Sequence, residues 1–184
     1  IDRALAQSEV SASEVALVSL STTLATNALV EGQGGRVCLV FVGFSERDLD
    51  RAGLREALGR DPVILLSGGH DSFGNPQAEL DLAALRARLP EMADTVSGFA
   101  VAGHFAIRNP AHELAVRDAI RERCDLPVTC SHELSAKLDG PRRALTCLLN
   151  ARLISPIDRL IHAMQSHLDA RGIRAPLRVA RGDG

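Results

Sequence analysis

Residues 37–42 read Val-Cys-Leu-Val-Phe-Val. Six apolar residues in succession, with no polar residue at alternate positions, suit a β-strand covered on both faces. Working outward, Val15–Leu20, Val63–Leu66, Gly98–Ala102, Pro127–Thr129 and Leu177–Ala180 also read as strands, most of them nearly continuous apolar runs. Helical patterns lie between them. Thr22–Glu31 places Leu24, Ala25, Ala28 and Leu29 on one face, and Gly32, Gly34 and Gly35 end it. Leu49–Leu58 and Leu80–Leu89 are amphipathic. Asn109 caps a helix that carries Pro110 in its first turn and runs to about Arg123. A last, long helix follows the spacing of Leu145, Leu148, Leu149, Leu153, Ile157, Leu160, Ile161, Met164 and Leu168. Gly140-Pro141 marks its start and Gly172 its end, and Pro156 is expected to kink or split it. Strand and helix in alternation predict an α/β fold with a largely parallel sheet and a long C-terminal helix, with a subdomain break near residues 103–109.

Composition narrows the function classes. The 184 residues are 46% hydrophobic and 24% charged, enough for one domain or two small ones. A formal net charge of -2 argues against nucleic acid and anionic membrane as partners. Trp and Tyr are absent, so stacking platforms for single strands are not expected. The four cysteines, Cys38, Cys124, Cys130 and Cys147, form no C-x-x-C pair and read as buried free thiols, which suits a reducing cytoplasm. No apolar run approaches the roughly 20 residues that span a bilayer, and no signal peptide is evident. Ile1 is not a start methionine and Gly184 closely follows an apolar run, so the sequence reads as part of a longer protein.

Four polar constellations fall near predicted strand ends. Ser19–Ala28 (SLSTTLATNA) bridges a strand and a helix, where hydroxyls and free N–H groups suit phosphate or carboxylate, or where Ser21 or Thr22 is simply an N-cap. Gly68-Gly69-His70-Asp71 offers acid–base or metal-binding side chains, or a plain surface turn. Ala102-Gly103-His104-Phe105 puts a histidine just past an apolar strand, at a site edge or in a satisfied loop. Cys130–Ser135 (CSHELS) carries His132 and Glu133, which reach a common target only from a loop. His112, His162 and His167 read as ordinary helix residues. No P-loop, G-x-S-x-G elbow or H-E-x-x-H motif occurs. The residues alone therefore predict an α/β domain with a polar site at strand ends.

In order and spacing, STTLATNALVEGQGGRV, GGHDSFGN, VAGHFAIRNPAHEL, PVTCSHELSAKLDGPRRALTCLLNARLISPI and APLRVARGDG resemble the N-terminal region of the hydantoinase A/oxoprolinase family. That resemblance implies an actin-like, ribonuclease-H-like fold. It implies ATP and magnesium spent on opening cyclic amides such as hydantoins or 5-oxoproline. It also implies an oligomer, a hydantoinase B-type subunit as partner, and kinship with subunits of ATP-dependent ketone carboxylases. His104 and His132 are then the expected catalytic residues. Thr22, Thr23, Thr26, Asn27 and Asp183 are expected to bind substrate or phosphate. The family's Asp-Gly-Gly-Thr loop is not in the sequence, which stops at Gly182-Asp183-Gly184, and Leu20-Ser21 stands where many members have His-Gly. The chain alone is accordingly expected to be inactive. Two other readings stay open: a non-catalytic ligand-binding or subunit-interaction module, and a metal-dependent amidase in which His70 and Asp71, with His104 and His132, hold a divalent ion.

Overall fold

A computed structural model describes residues 11–21, Asn27 and residues 34–180. The chain divides into two compact units, residues 34–155 and residues 1–33 with 156–184. Residues 103–109 lie inside the larger unit.

The larger unit is built on four parallel strands, β2 (Val37–Val42), β3 (Val63–Leu66), β4 (Gly98–Gly103) and β5 (Val128–Cys130), in the order β3-β2-β4-β5. Val37 stands opposite Gly98 and Val42 opposite Gly103, so β2 and β4 end level. Every residue of β2 is buried, as its unbroken apolar run requires. The period of two sorts them between two cores. Cys38, Val40 and Val42 pack with Leu85 and Leu89 of α2 (Leu82–Ala93) and with Val116 and Ile120 of α3 (Ala111–Arg121). Val37, Leu39 and Phe41 pack on the other face with Leu54 and Leu58 of α1 (Leu54–Leu58). That face also takes Ala144, Cys147, Leu148 and Ala151 of α5 (Gly140–Ala170). Each large apolar side chain so buried contributes roughly 1.5–3 kcal/mol.

Several elements differ from their expected form. Leu49–Leu58 is not one helix: a 3-10 segment, Glu46–Asp50, precedes α1, and Ala52 (φ 57°) and Gly53 (φ 73°) turn left-handed between them. The segment after β5 is a single helical turn, α4 (Ser131–Leu134), rather than a loop. The N-cap of α2 is Asp81, whose side chain accepts from Ala84 N at 2.9 Å, and the helix continues past Leu89 to Ala93. The N-cap position of α3 is Pro110, and the Asn109 side chain caps the turn by accepting from Ala111 N at 3.0 Å.

The long helix starts at Gly140 as expected but is not split at Pro156. A proline has no N–H for the carbonyl four residues back. Here that carbonyl, on Arg152, accepts from Gly35 N at 3.2 Å instead. Close packing also fixes the helix start, since a Cβ on Gly140 would fall 2.3 Å from Phe44 Cζ.

In the smaller unit, β1 (Val18–Ser21) pairs in parallel with β6 (Leu177–Ala180), and Leu20, Leu168 and Ile173 are buried. The expected helix at Thr22–Glu31 lies outside the described residues except for Asn27, which is helical and exposed. Among the described residues no helix is long and apolar enough to cross a membrane.

Candidate functional site at the strand ends

Strand order decides where a site can form. The segment after β2 leads into α1 on one face of the sheet, whereas the segment after β4 leads into α3 on the other. The chain therefore diverges between the C-terminal ends of β2 and β4, which is where open α/β sheets leave a crevice. His104 stands at that point. Its backbone N donates to Val42 O at 2.9 Å and its carbonyl accepts from His70 N at 3.0 Å. The ring lies edge-on to Phe44 (5.0 Å) and Phe105 (4.7 Å), with Nδ1 2.9 Å from Gln77 Oε1. Burial pushes its pKa down, helped by Arg143 and opposed by Asp48 and the His70 backbone. Phe105 holds φ at 47°, a strained angle for a bulky residue and one that often accompanies functional sites.

The Gly68–Asp71 turn packs against this point. A Cβ on Gly43 would meet Gly68 O at 2.7 Å, so only glycine allows the two turns to approach. His70 is buried and lies 4.2 Å from the His112 ring, and Gly69 N donates to His112 Nδ1 at 2.9 Å. Burial lowers the pKa of both histidines, His70 further lowering His112. The Asp71 carboxylate turns back on its own loop, accepting from Phe73 N, Asn75 N and Asn75 Nδ2. These bonds hold its pKa below the usual carboxylate value. In this arrangement His70 packs on His112 while Asp71 closes its own loop.

One strand over, at the end of β5, His132 meets Glu113. The carboxylate of Glu113 is completely buried. Its Oε1 accepts from Gly103 N and Ser131 Oγ, both at 2.6 Å, and its Oε2 accepts from His132 N at 3.1 Å and lies 2.5 Å from His132 Nδ1. The hydrogen bond to Glu113 raises the His132 pKa, against desolvation. The neighbouring Glu133 faces Arg117 at 3.5 Å instead. Arg143, also buried, donates to the carbonyls of Gly103 (2.7 Å), Lys137 (2.8 Å) and Leu138 (3.0 Å). Gly103 is thus gripped by Glu113 through its N–H and by Arg143 through its carbonyl, which ties the residue before His104 to the one carrying His132.

Glu113, Cys130 and His132 have ligand atoms within 4.8 Å of one another. They do not form a metal centre in this arrangement. Two ligands each about 2.0–2.2 Å from a tetrahedral ion stand more than 3 Å apart, whereas Oε2 and Nδ1 are in hydrogen-bond contact at 2.5 Å. Burial also pushes the Cys130 thiol up to about 12.

Of the residues singled out from sequence, the structure brings His70, His104 and His132 to one sheet edge. Asn27 belongs to the smaller unit. Thr22, Thr23, Thr26 and Asp183 lie outside the described residues. Sequence reading missed Glu113, Arg143, Gln77 and the tie from His112 to Gly69. A signal for Glu113 existed: it shares a helical face with Val116 and Ile120, so an acid sits in an apolar stripe.

Comparison with known proteins agrees with this fold. Residues 1–124 match the family described as Hydantoinase/oxoprolinase N-terminal region. The acetophenone carboxylase gamma subunit of Aromatoleum aromaticum is 26% identical over 196 residues, covering 91% of this chain and 27% of that protein. The crystal structure of the ATP-dependent caprolactamase from Pseudomonas jessenii superposes with a TM-score of 0.78 at 22% identity, over 97% of this chain and 29% of that one. A nucleotide-free acetone carboxylase gives a TM-score of 0.59 at 18% identity, over 84% of this chain and 26% of that one. The chain spans little more than a quarter of each relative's length. By its match from residue 1 to 124, the chain belongs to the hydantoinase/oxoprolinase N-terminal region family.

Proposed function

We propose that this chain is the N-terminal region of an ATP-dependent enzyme that opens a small cyclic amide of hydantoin or 5-oxoproline type. The observation that carries the reading is a partly buried histidine, His104, at the divergence of a parallel sheet in a chain of this family. In the larger polypeptide, an actin-like, cytoplasmic enzyme, ATP and magnesium would activate the amide carbonyl, and a hydantoinase B-type subunit would complete the oligomer. Thr22, Thr23, Thr26, Asn27 and Asp183 would orient the carbonyl or a phosphate. The buried Arg143 is committed to three backbone carbonyls and is not free to hold a phosphate. In this reading the sheet edge would handle the carbonyl compound. His104 would accept a proton or hydrogen-bond the substrate, and His132 would supply one.

A second reading, carboxylation of a ketone, is favoured by the similarity to the acetophenone carboxylase gamma subunit. The two share activation of a poor electrophile or its enol by phosphate. Steady-state ATP hydrolysis by the whole polypeptide separates them. Stimulation by a cyclic amide without bicarbonate supports hydrolysis, and stimulation only by a ketone with bicarbonate supports carboxylation. No stimulation by either class contradicts both.

A further inference from the structure

His132 is held from behind by a carboxylate that solvent does not reach. Glu113 is fully buried, whereas the His132 side chain keeps 18% of its exposure. Three donors other than the ring fix the carboxylate: Gly103 N, Ser131 Oγ and His132 N. Its position therefore does not depend on the imidazole, and Oε2 stands ready 2.5 Å from Nδ1. A carboxylate oxygen only accepts, so Nδ1 carries the hydrogen and Nε2 is the nitrogen left to gain and lose a proton. We propose that Glu113 and His132 form a carboxylate–imidazole dyad that delivers a proton to the substrate through His132 Nε2, with Glu113 as the positioning residue. The inference rests on reading this sheet edge as the site where the carbonyl compound binds.

The proton balance is simple. Water adds to the amide carbonyl carbon and gives up a proton to solvent; as the adduct re-forms its C=O bond the C–N bond breaks, and its electron pair moves onto nitrogen, which takes the proton from Nε2. The ring is left neutral with Nδ1–H still on Glu113, and water restores the Nε2 proton. The charged groups around the ring suit this cycle. Glu113 and Glu133 favour the imidazolium, Arg117 opposes it, and burial pushes the Cys130 thiol up. Arg143 acts one step removed, through Ser131 Oγ at 3.4 Å. Glu133 is the acid adjacent to His132 in sequence, but the fold pairs the ring with an acid nineteen residues upstream.

Glu113→Gln in the whole polypeptide is the informative variant. A glutamine can still accept from Gly103 and Ser131, but its amide nitrogen faces Nδ1 as a donor and imposes the other tautomer, the logic known from Asp→Asn in serine-protease triads. Two readouts are needed. The first is an NMR titration of His132 with carbon-13-labelled histidine. It should lie above the ordinary imidazole value in wild type and fall in Glu113→Gln. The second is amide-stimulated ATP hydrolysis. Its kcat should drop about 100-fold or more in both Glu113→Gln and His132→Gln, while Glu113→Asp retains part of it. A wild-type His132 that titrates at or below the ordinary value overturns the pairing without any variant, even should Glu113→Gln fail to fold. A shifted titration with full turnover in His132→Gln overturns the proton-delivery role and leaves the proposed function standing. Wild type that answers to no amide overturns that function and the delivery role together, and the titration still decides the pairing.

Discussion

Glu113 shows how much a single residue can carry in this fold. Four donor groups converge on its carboxylate, and Arg143 lies close enough for their charges to interact. Removing a buried partner leaves the others unpaired in a low dielectric. Glu113→Ala is therefore expected to lower stability by about 3–5 kcal/mol in denaturant melts; a loss under about 1 kcal/mol would mean the network is slack. The histidines set the response to pH. His70, His104 and His112 have lowered pKa values, so the unfolded chain takes up protons before the folded one does. Their stabilising contribution is present above the ordinary imidazole value and is lost as pH falls below it. His132, raised, works in the opposite sense: its contribution is full below the ordinary value and lost as pH rises through its own. Three against one predicts a melting temperature that falls between pH 7.5 and 5.5. In His112→Asn, an acceptor for Gly69 N remains but the titration is gone, so the fall should be shallower; an unchanged slope would contradict the assignment.

Elements were more legible than contacts. Val37–Val42 announced a strand covered on both faces because burial on both sides leaves no polar position to find. The helix predicted across Leu49–Leu58 failed for a local reason. Its apolar spacing was right, and Leu49, Leu54 and Leu58 do share one core, but two left-handed residues interrupt it. Periodicity reports which residues face a core, not whether the backbone between them is continuous. At Pro156 the helix continues for a tertiary reason, since the hydrogen bond that the proline denies Arg152 is replaced from Gly35, over a hundred residues away, and the boundary between the two compact units falls at that proline. At Ala52 the left-handed angle disfavours a Cβ, so Ala52→Gly should raise stability by about 0.5–1 kcal/mol in chemical denaturation. A destabilised variant would mean that the turn is not strained. Of the candidate site, the histidines just past strand ends were visible because the end of an apolar run is visible. Their partners were not, because Gln77, Glu113 and Arg143 reach them only through the packing of other elements.

At the scale of the whole molecule, the parallel sheet supplies an edge and the turns after its strands supply the chemistry. The chain accounts for little more than a quarter of its relatives' length, so residues 1–184 alone are expected to show no ATP turnover above background; robust turnover would place the nucleotide site within them. The central claim is that the edge marked by His104 is where the carbonyl compound is handled. Its most direct test compares substrate-stimulated ATP hydrolysis of the whole polypeptide with that of His104→Ala, at matched thermal stability and in equal folded amounts. The account predicts that stimulation falls by about 100-fold or more while the variant melts as wild type does. Full stimulation per folded molecule, with lost thermal stability, would show that His104 only packs between Phe44 and Phe105 and would contradict the account.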